Sequence, residues 1–290
     1  IRQLEYRPNQ AARSLTTRRT HTIGLMIPDI TNPFFPAIVR GAEDIAWREG
    51  YAVSLTNTVE DVEREHAALE HFEAHRVDGV IACSPRLHDQ QLARLIERHP
   101  ATVLINRSSP LPDTATSIEV DDVKGAHLAI THLASRGRRT IALLAGPDRA
   151  ASAQKRRWGW AEALAFHGLE QNPSLLEACE PTEEGGEAAM RTLLERRGDV
   201  DAVLCYNDIV AIGALSALRG SGKRVPEDVS VVGFDDIRLA SLLKPSLTTL
   251  RSDTRLLGQR AAELLFERIR GGPAQRALIT PELIVRESAP

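Results

Sequence analysis

Arg156, Asn207 and Asp235 carry complementary chemistry for one small target. Arg156 offers five N–H donors in a rigid fork, Asp235 only acceptors, and Asn207 one group of each kind. Such a set can grip vicinal hydroxyls, donating to one oxygen while accepting from the neighbouring O–H. Each residue comes after an apolar run. Ser152 and Arg156 follow Leu143-Leu144-Ala145-Gly146-Pro147, Asn207 follows Val203-Leu204-Cys205-Tyr206, and Asp235 follows Val231-Val232-Gly233-Phe234. Asn106 follows Val103-Leu104-Ile105 in the same way, and Phe34 and Phe35 come after Ile23–Ile27. The two phenylalanines can wall a ligand or start a helix as core residues. Arg156 and Asp235 also allow two readings, ligand contact or an ion pair with each other within one lobe. Ligand contact is favoured, because a charge buried unpaired at a strand end is otherwise costly.

The elements that position these residues follow from periodicity. Strand-like runs are expected at 22–27, 51–56, 79–83, 101–105, 140–145, 202–205 and 229–234. Between them lie stretches with 3.6-residue apolar spacing, such as Ile38, Ile45 and Ala46, or Leu128, Ile130 and Leu133. This alternation implies βαβ units and parallel sheets covered on both faces, an α/β fold. A chain of 290 residues exceeds the usual single domain. The pattern runs twice, changing over near Ile118-Glu119-Val120-Asp121-Asp122. Sheets of this kind take ligands at the carboxyl ends of their strands.

Composition narrows the function. Hydrophobic content of 42% and charged content of 26% are ordinary for a globular protein. No apolar run approaches the ~20 residues of a membrane span and no signal-peptide pattern is seen, so a cytoplasmic location without membrane contact is expected. Cys83, Cys179 and Cys205 are odd in number, lack CxxC spacing and read as reduced, mostly buried thiols. No GxGxxG follows a strand, GxSxG is absent, and Gly220-Ser221-Gly222-Lys223 lacks the earlier glycine of a phosphate loop. His71 and His75, four apart with His66 nearby, read as a solvated helix face rather than a metal site. Trp160 fits a core position, and Trp158 points to a different face. No catalytic set, metal or cofactor is expected.

The first twenty residues hold five Arg and one Glu, net +4, while the whole chain is −3, leaving −7 for the rest. A cationic arm on an acidic body suits a polyanion held at one edge. Asn9 is a good N-cap for the helix formers that run from Gln10 to Leu15. A helix this short is below the ~12–15 residues of marginal stability in water, so it should form only when packed against a partner.

The order of motifs closely resembles the LacI/GalR family of transcriptional repressors across essentially the whole chain. The resemblance rests on Tyr6-Arg7-Pro8-Asn9-Gln10-Ala11-Ala12-Arg13-Ser14-Leu15, the opening Thr22–Phe35, and Val77-Asp78-Gly79-Val80-Ile81. Tyr206–Ala214, Val225–Asp236, Pro245–Leu250 and Leu283–Ser288 complete it. It implies a type I periplasmic-binding-protein-like body of two Rossmann-like subdomains with parallel sheets and three crossovers. Residues 1–20 become the end of a DNA-binding headpiece and the hinge helix. Residues 21–121 plus 253–280 form the N-subdomain, and 122–252 plus 281–290 the C-subdomain.

By the same resemblance an effector sits between the subdomains, near Phe34, Phe35, Asn106, Ser152, Arg156, Asn207 and Asp235. Ser152, Arg156 and Gly159 match the family's Ser/Thr-x3-Arg-x2-Gly pattern. Three departures stand out: Asn106 where many relatives carry Asp, Pro181 where an aromatic is common, and Ala150 where purine-responsive relatives have Arg. The last two weaken a purine assignment, and a sugar or polyol is favoured. Asn9, Arg13 and Leu15 would face DNA, with Leu15 wedged at a minor-groove step and Arg13, Arg18 and Arg19 on phosphates; a plain linker role for Leu15 is the alternative. The partners implied are operator DNA and a second copy of the chain, as a homodimer or a tetramer. Rival readings are a periplasmic-type sugar-binding protein and a sugar-directed α/β enzyme.

Overall fold

The computed structural model describes residues 19–111 and 113–290. They divide into two compact units, the first made of residues 19–31, Phe35–Ile118 and Arg255–Ala277. The second is made of Asn32–Phe34, Glu119–Thr254 and Leu278–Pro290. Asn9, Arg13, Leu15 and Arg18 lie outside the described residues.

In the first unit, β1 (Thr22–Ile27), β2 (Ala52–Asn57), β3 (Gly79–Cys83), β4 (Thr102–Ile105) and β5 (Thr116–Val120) alternate with three helices. These are α1 (Phe34–Arg48), α2 (Val62–Ala74) and α3 (Asp89–Arg98). The strand order is β11-β5-β4-β3-β1-β2, with β11 (Arg276–Ile279) supplied from late in the chain. Strands β1 to β5 pair in parallel. Strands β3 and β4 are buried at every position, which is why they read as continuous apolar runs, whereas edge strand β2 is partly exposed. The start of β1 is pinned by Asp78, whose carboxylate accepts the N–H groups of Thr20 at 2.9 Å and His21 at 3.0 Å.

The second unit repeats the plan. Its strands are β6 (Ile141–Ala145), β7 (Leu176–Ala178), β8 (Ala202–Cys205), β9 (Ser230–Asp235), β10 (Thr248–Arg251) and β12 (Glu282–Ile284). They are ordered β12-β10-β9-β8-β6-β7. Among the described residues, β7, β6, β8, β9 and β10 pair in parallel and β12 joins β10 antiparallel, so the expectation of a wholly parallel sheet needs one antiparallel edge strand added. The helices are α4 (Asp122–Ser135), α5 (Ala151–Phe166), α6 (Glu183–Arg196) and α7 (Asp208–Gly220); α8 (Thr254–Ile269) belongs almost wholly to the first unit. Side-chain caps start three of them. Asp121 accepts from Lys124 N–H, Thr182 from Gly185 N–H and Asn207 from Val210 N–H.

Without their sixth strands, both sheets run 2-1-3-4-5 in order of appearance. That order places a topological switch point between β1 and β3 in one unit and between β6 and β8 in the other. No described helix is long and apolar enough to cross a membrane.

Candidate effector-binding site

The second unit gathers Ser152, Arg156, Asn207 and Asp235 at the carboxyl ends of its central strands. Strands β8 and β9 pair with Leu204 level with Val232. Continuing that register past the strand ends sets Tyr206 beside Phe234 and Asn207 beside Asp235. Arg156 comes from α5, which can approach α4 closely because residue 159 is glycine. A Cβ there would lie 2.7 Å from the Val123 carbonyl oxygen. This close approach sets Arg156 against the start of α4.

Arg156 is buried, and its Nε donates to Asp122 Oδ1 at 2.8 Å. Its Nη1 donates to the carbonyl oxygen of Tyr206. The guanidinium lies over the Phe234 ring, 3.6 Å from the centroid, and 4.9 Å from that of Tyr206. The ion pair considered from sequence therefore exists with a different partner, Asp122 in place of Asp235. Burial works against the Arg156 charge, but Asp122 and Asp235 outweigh it and hold its pKa up. Ser152 Oγ shares a hydrogen bond of 3.0 Å with the Tyr206 hydroxyl.

Asp235 ends β9 at φ 120°, outside the comfortable range for a residue with a Cβ. It is only 7% exposed, and among the described residues no hydrogen bond reaches its carboxylate. Burial pushes its pKa well above the carboxylate range; Arg156 pulls it back, and Asp208 and Asp122 push it further up. Asn207 is buried, and its Oδ1 is spent on capping α7 at 2.9 Å, which leaves its Nδ2 to act as a donor.

Asn106 and Phe35 belong to the first unit. Asn106 is buried just past β4 at φ 53°, its N–H donating to Ile118 O at 2.9 Å. Phe34 and Phe35 open α1 and are both buried, with Phe34 N–H donating to Asn32 Oδ1 at 3.1 Å. Trp160 is core, donating to Ile141 O at 3.2 Å, whereas Trp158 is exposed. His71 and His75 are exposed, and among the described residues no group of three or more His, Cys, Asp or Glu is arranged for a metal. Arg19 reaches Ile269 O at 3.5 Å. Cys83 and Cys205 are buried, Cys179 is partly so, and none forms a disulfide.

Sequence reasoning missed Asp122, Tyr206 and Asp208. Asp208 is fully buried and accepts from Thr249 Oγ1 at 2.5 Å and from Ile237 N–H at 2.9 Å. It ties the start of α7 to β10 and to the loop after Asp235. Two signals in the sequence point to such residues. Asp121-Asp122 puts two carboxylates at one helix start where a cap needs only one, and Asn207-Asp208 likewise puts a carboxylate beside a residue that already serves as the cap.

Two six-stranded α/β units, each with a switch point, and polar groups converging on strand ends define an effector-binding body of the periplasmic-binding-protein type. Residues 20–287 match the family described as periplasmic binding proteins and sugar binding domain of LacI family. The chain is 35% identical over 290 residues to the HTH-type transcriptional regulator GalR of Escherichia coli (strain K12), covering 99% of this chain and 84% of that one. A structure described as the transcriptional regulator CelR–cellobiose complex aligns at TM-score 0.85 and 31% identity, covering 98% of this chain and 92% of the other. The lac repressor dimer bound to operator and the anti-inducer ONPF aligns at TM-score 0.89 and 29% identity, covering 99% and 87%. The chain belongs to the LacI family. The named relatives are transcriptional regulators, which favours a regulator over a periplasmic transport component.

Proposed function

We propose that the chain is a ligand-responsive, DNA-binding repressor of carbohydrate-utilisation genes with a sugar or polyol as effector. The observation that carries this reading is the Asp235 carboxylate, buried without a hydrogen bond close to the Arg156 fork. An acceptor and a donor held together suit a partner with adjacent hydroxyls, each able to donate and to accept. Ser152 and the Asn207 amide extend the polar set, and Phe34, Phe35 and Asn106 are further proposed contacts. Asn9, Arg13 and Leu15 are assigned to DNA, Leu15 as a minor-groove wedge. The assembly is a homodimer on a pseudo-palindromic operator. It acts in the cytoplasm and carries out no catalysis.

The effector works by binding the operator-competent and operator-incompetent states unequally, since equal binding would shift neither population. Melting temperature tests this across a panel of sugars, sugar phosphates, polyols and nucleobases, with Asp235→Ala as control. A ligand at 100 times its Kd stabilises the native state by about 2.7 kcal/mol. A shift with one saccharide, lost in Asp235→Ala, supports the reading. A shift with a nucleobase alone overturns the carbohydrate assignment and leaves the regulator assignment in place.

A further inference from the structure

One cation and three carboxylates are buried together in the second unit: Arg156, with Asp122, Asp208 and Asp235. The other cations acting on this group have carboxylate partners of their own. Lys155 pairs with Glu119, and Arg286 with Asp236 at 2.6 Å. The Arg156 charge is therefore balanced before any ligand arrives.

The guanidinium is also committed edge by edge. A carboxylate or phosphate is held best by two parallel N–H bonds from one edge of the fork. The side edge has already given its Nε–H to Asp122, and the end edge has given an Nη1–H to the Tyr206 carbonyl. The Phe234 ring covers the flat face. What remains suits single hydrogen bonds to neutral oxygens, beside Asp235, whose carboxyl is pushed by burial towards its neutral form.

We propose that Asp122 is a specificity-determining positioning residue: by neutralising the Arg156 charge while holding its Nε, it closes the site to anionic effectors, such as sugar phosphates and uronic acids. It leaves the site open to uncharged polyhydroxyl compounds. This rests on the reading of the Arg156–Asp235 region as the effector site. Asp122 acts through Arg156 and need not touch the ligand itself.

The experiment measures affinities of the wild-type chain and of Asp122→Asn by calorimetry. The probes are ribose, glucose, galactose and cellobiose, with ribose 5-phosphate, glucose 6-phosphate, galactose 6-phosphate, glucuronate and galacturonate. The wild type is expected to bind a neutral probe and to bind its charged derivative about 100-fold more weakly or worse, because an anion desolvated there meets no unbalanced cation. In Asp122→Asn, which keeps the shape and removes the charge, that gap is expected to close by at least about tenfold. A residue that only stabilised the fold would weaken both probes alike and leave their ratio unmoved, which would overturn the proposal. A phosphate or uronate that binds the wild type as well as its neutral parent overturns it too, without need of the variant, and leaves the effector site standing if Asp235→Ala abolishes that binding. Failure of every saccharide, charged or neutral, overturns the carbohydrate reading and this inference with it.

Discussion

The Asp208 carboxylate and the Thr249 hydroxyl, one at the start of α7 and the other in β10, are joined by a hydrogen bond of 2.5 Å inside the core. Behind them lies Gly233, where a Cβ would stand 2.2 Å from Asp208 Oδ1. Burial pushes the Asp208 pKa up to about 7, against the pull of the Thr249 and Ile237 hydrogen bonds. The folded state thus holds this proton more tightly than the unfolded chain does. Its contribution to stability is fully present below about pH 4, falls as pH rises towards 7, and changes little above that. In Asp208→Asn this component is absent. Relative to wild type, the variant is expected to gain 1 kcal/mol or more, as an order of magnitude, between pH 5 and pH 8. Urea unfolding at both pH values checks it; a difference that stays flat or moves the other way refutes the raised pKa.

Asp235 invites a second expectation, because a buried carboxylate without a hydrogen bond is a cost that ligand binding must justify. Replacement by Asn keeps the size and a tolerance for positive φ while removing the ionisable group. Without ligand, Asp235→Asn is expected to be as stable as wild type or more so, by about 1 kcal/mol. It is also expected to lose the ligand-induced rise in Tm. A loss of stability above about 1 kcal/mol in the ligand-free variant would mean that the carboxylate is held for the fold rather than for a ligand.

The legible parts of this molecule were those where one local pattern sufficed. Strands β3, β4, β6 and β8 are buried on both faces, so Val203-Leu204-Cys205 and its counterparts showed as unbroken apolar runs. The polar residue after each run then marked a strand end. The pattern failed at β5, whose TSIEV mixes polar and apolar residues, and at β7, β10, β11 and β12, whose three or four residues each are too few to show a period. Contacts from distant segments fix some of these. Ser288 Oγ accepts Thr248 N–H at 2.8 Å and donates to Val231 O at 2.6 Å, and Glu287 accepts Ser246 N–H at 2.8 Å. The partner of Arg156 was illegible for the same reason. Asp122 and Asp235 each belong to an Asp-Asp pair beside a strand end, and the choice between them is made by how closely Gly159 lets α5 approach α4.

Helix packing in the first unit gives a sharper mechanical test. At Gly41 in α1 a Cβ would lie 2.1 Å from Arg255 O, and at Gly258 in α8 it would lie 2.1 Å from Ile38 O. Both obstacles are backbone, so no side chain can swing aside and the helices must separate. Alanine gains about 1 kcal/mol of helix propensity over glycine, but overpacking costs about 1–3 kcal/mol or more. Gly41→Ala and Gly258→Ala are each expected to be destabilising by roughly 2 kcal/mol. Gly220→Ala in α7, with nothing within 4 Å of its Cβ, serves as the control and is expected to be neutral or stabilising. Urea midpoints that rank the two packed sites with the control would contradict the close approach.

The proposed assignment of the N-terminal arm to DNA is tested by two substitutions that act on different terms. An apolar wedge contributes by stabilising an unstacked base step, a cost of a few kcal/mol offset by added contact, and carries no charge. A phosphate-bound arginine contributes mostly through counterion release, about 0.9 of a salt-slope unit for each phosphate neutralised. Leu15→Ala is therefore expected to weaken operator binding by at least about tenfold at every salt concentration, with the slope of log K against log[salt] unchanged. Arg13→Ala is expected to lower that slope by about 1. Neither change should alter effector affinity measured without DNA. Fluorescence anisotropy on a labelled operator, from 50 to 200 mM salt, separates the two; unaltered operator affinity in Leu15→Ala would remove the wedge assignment and make the residue a linker.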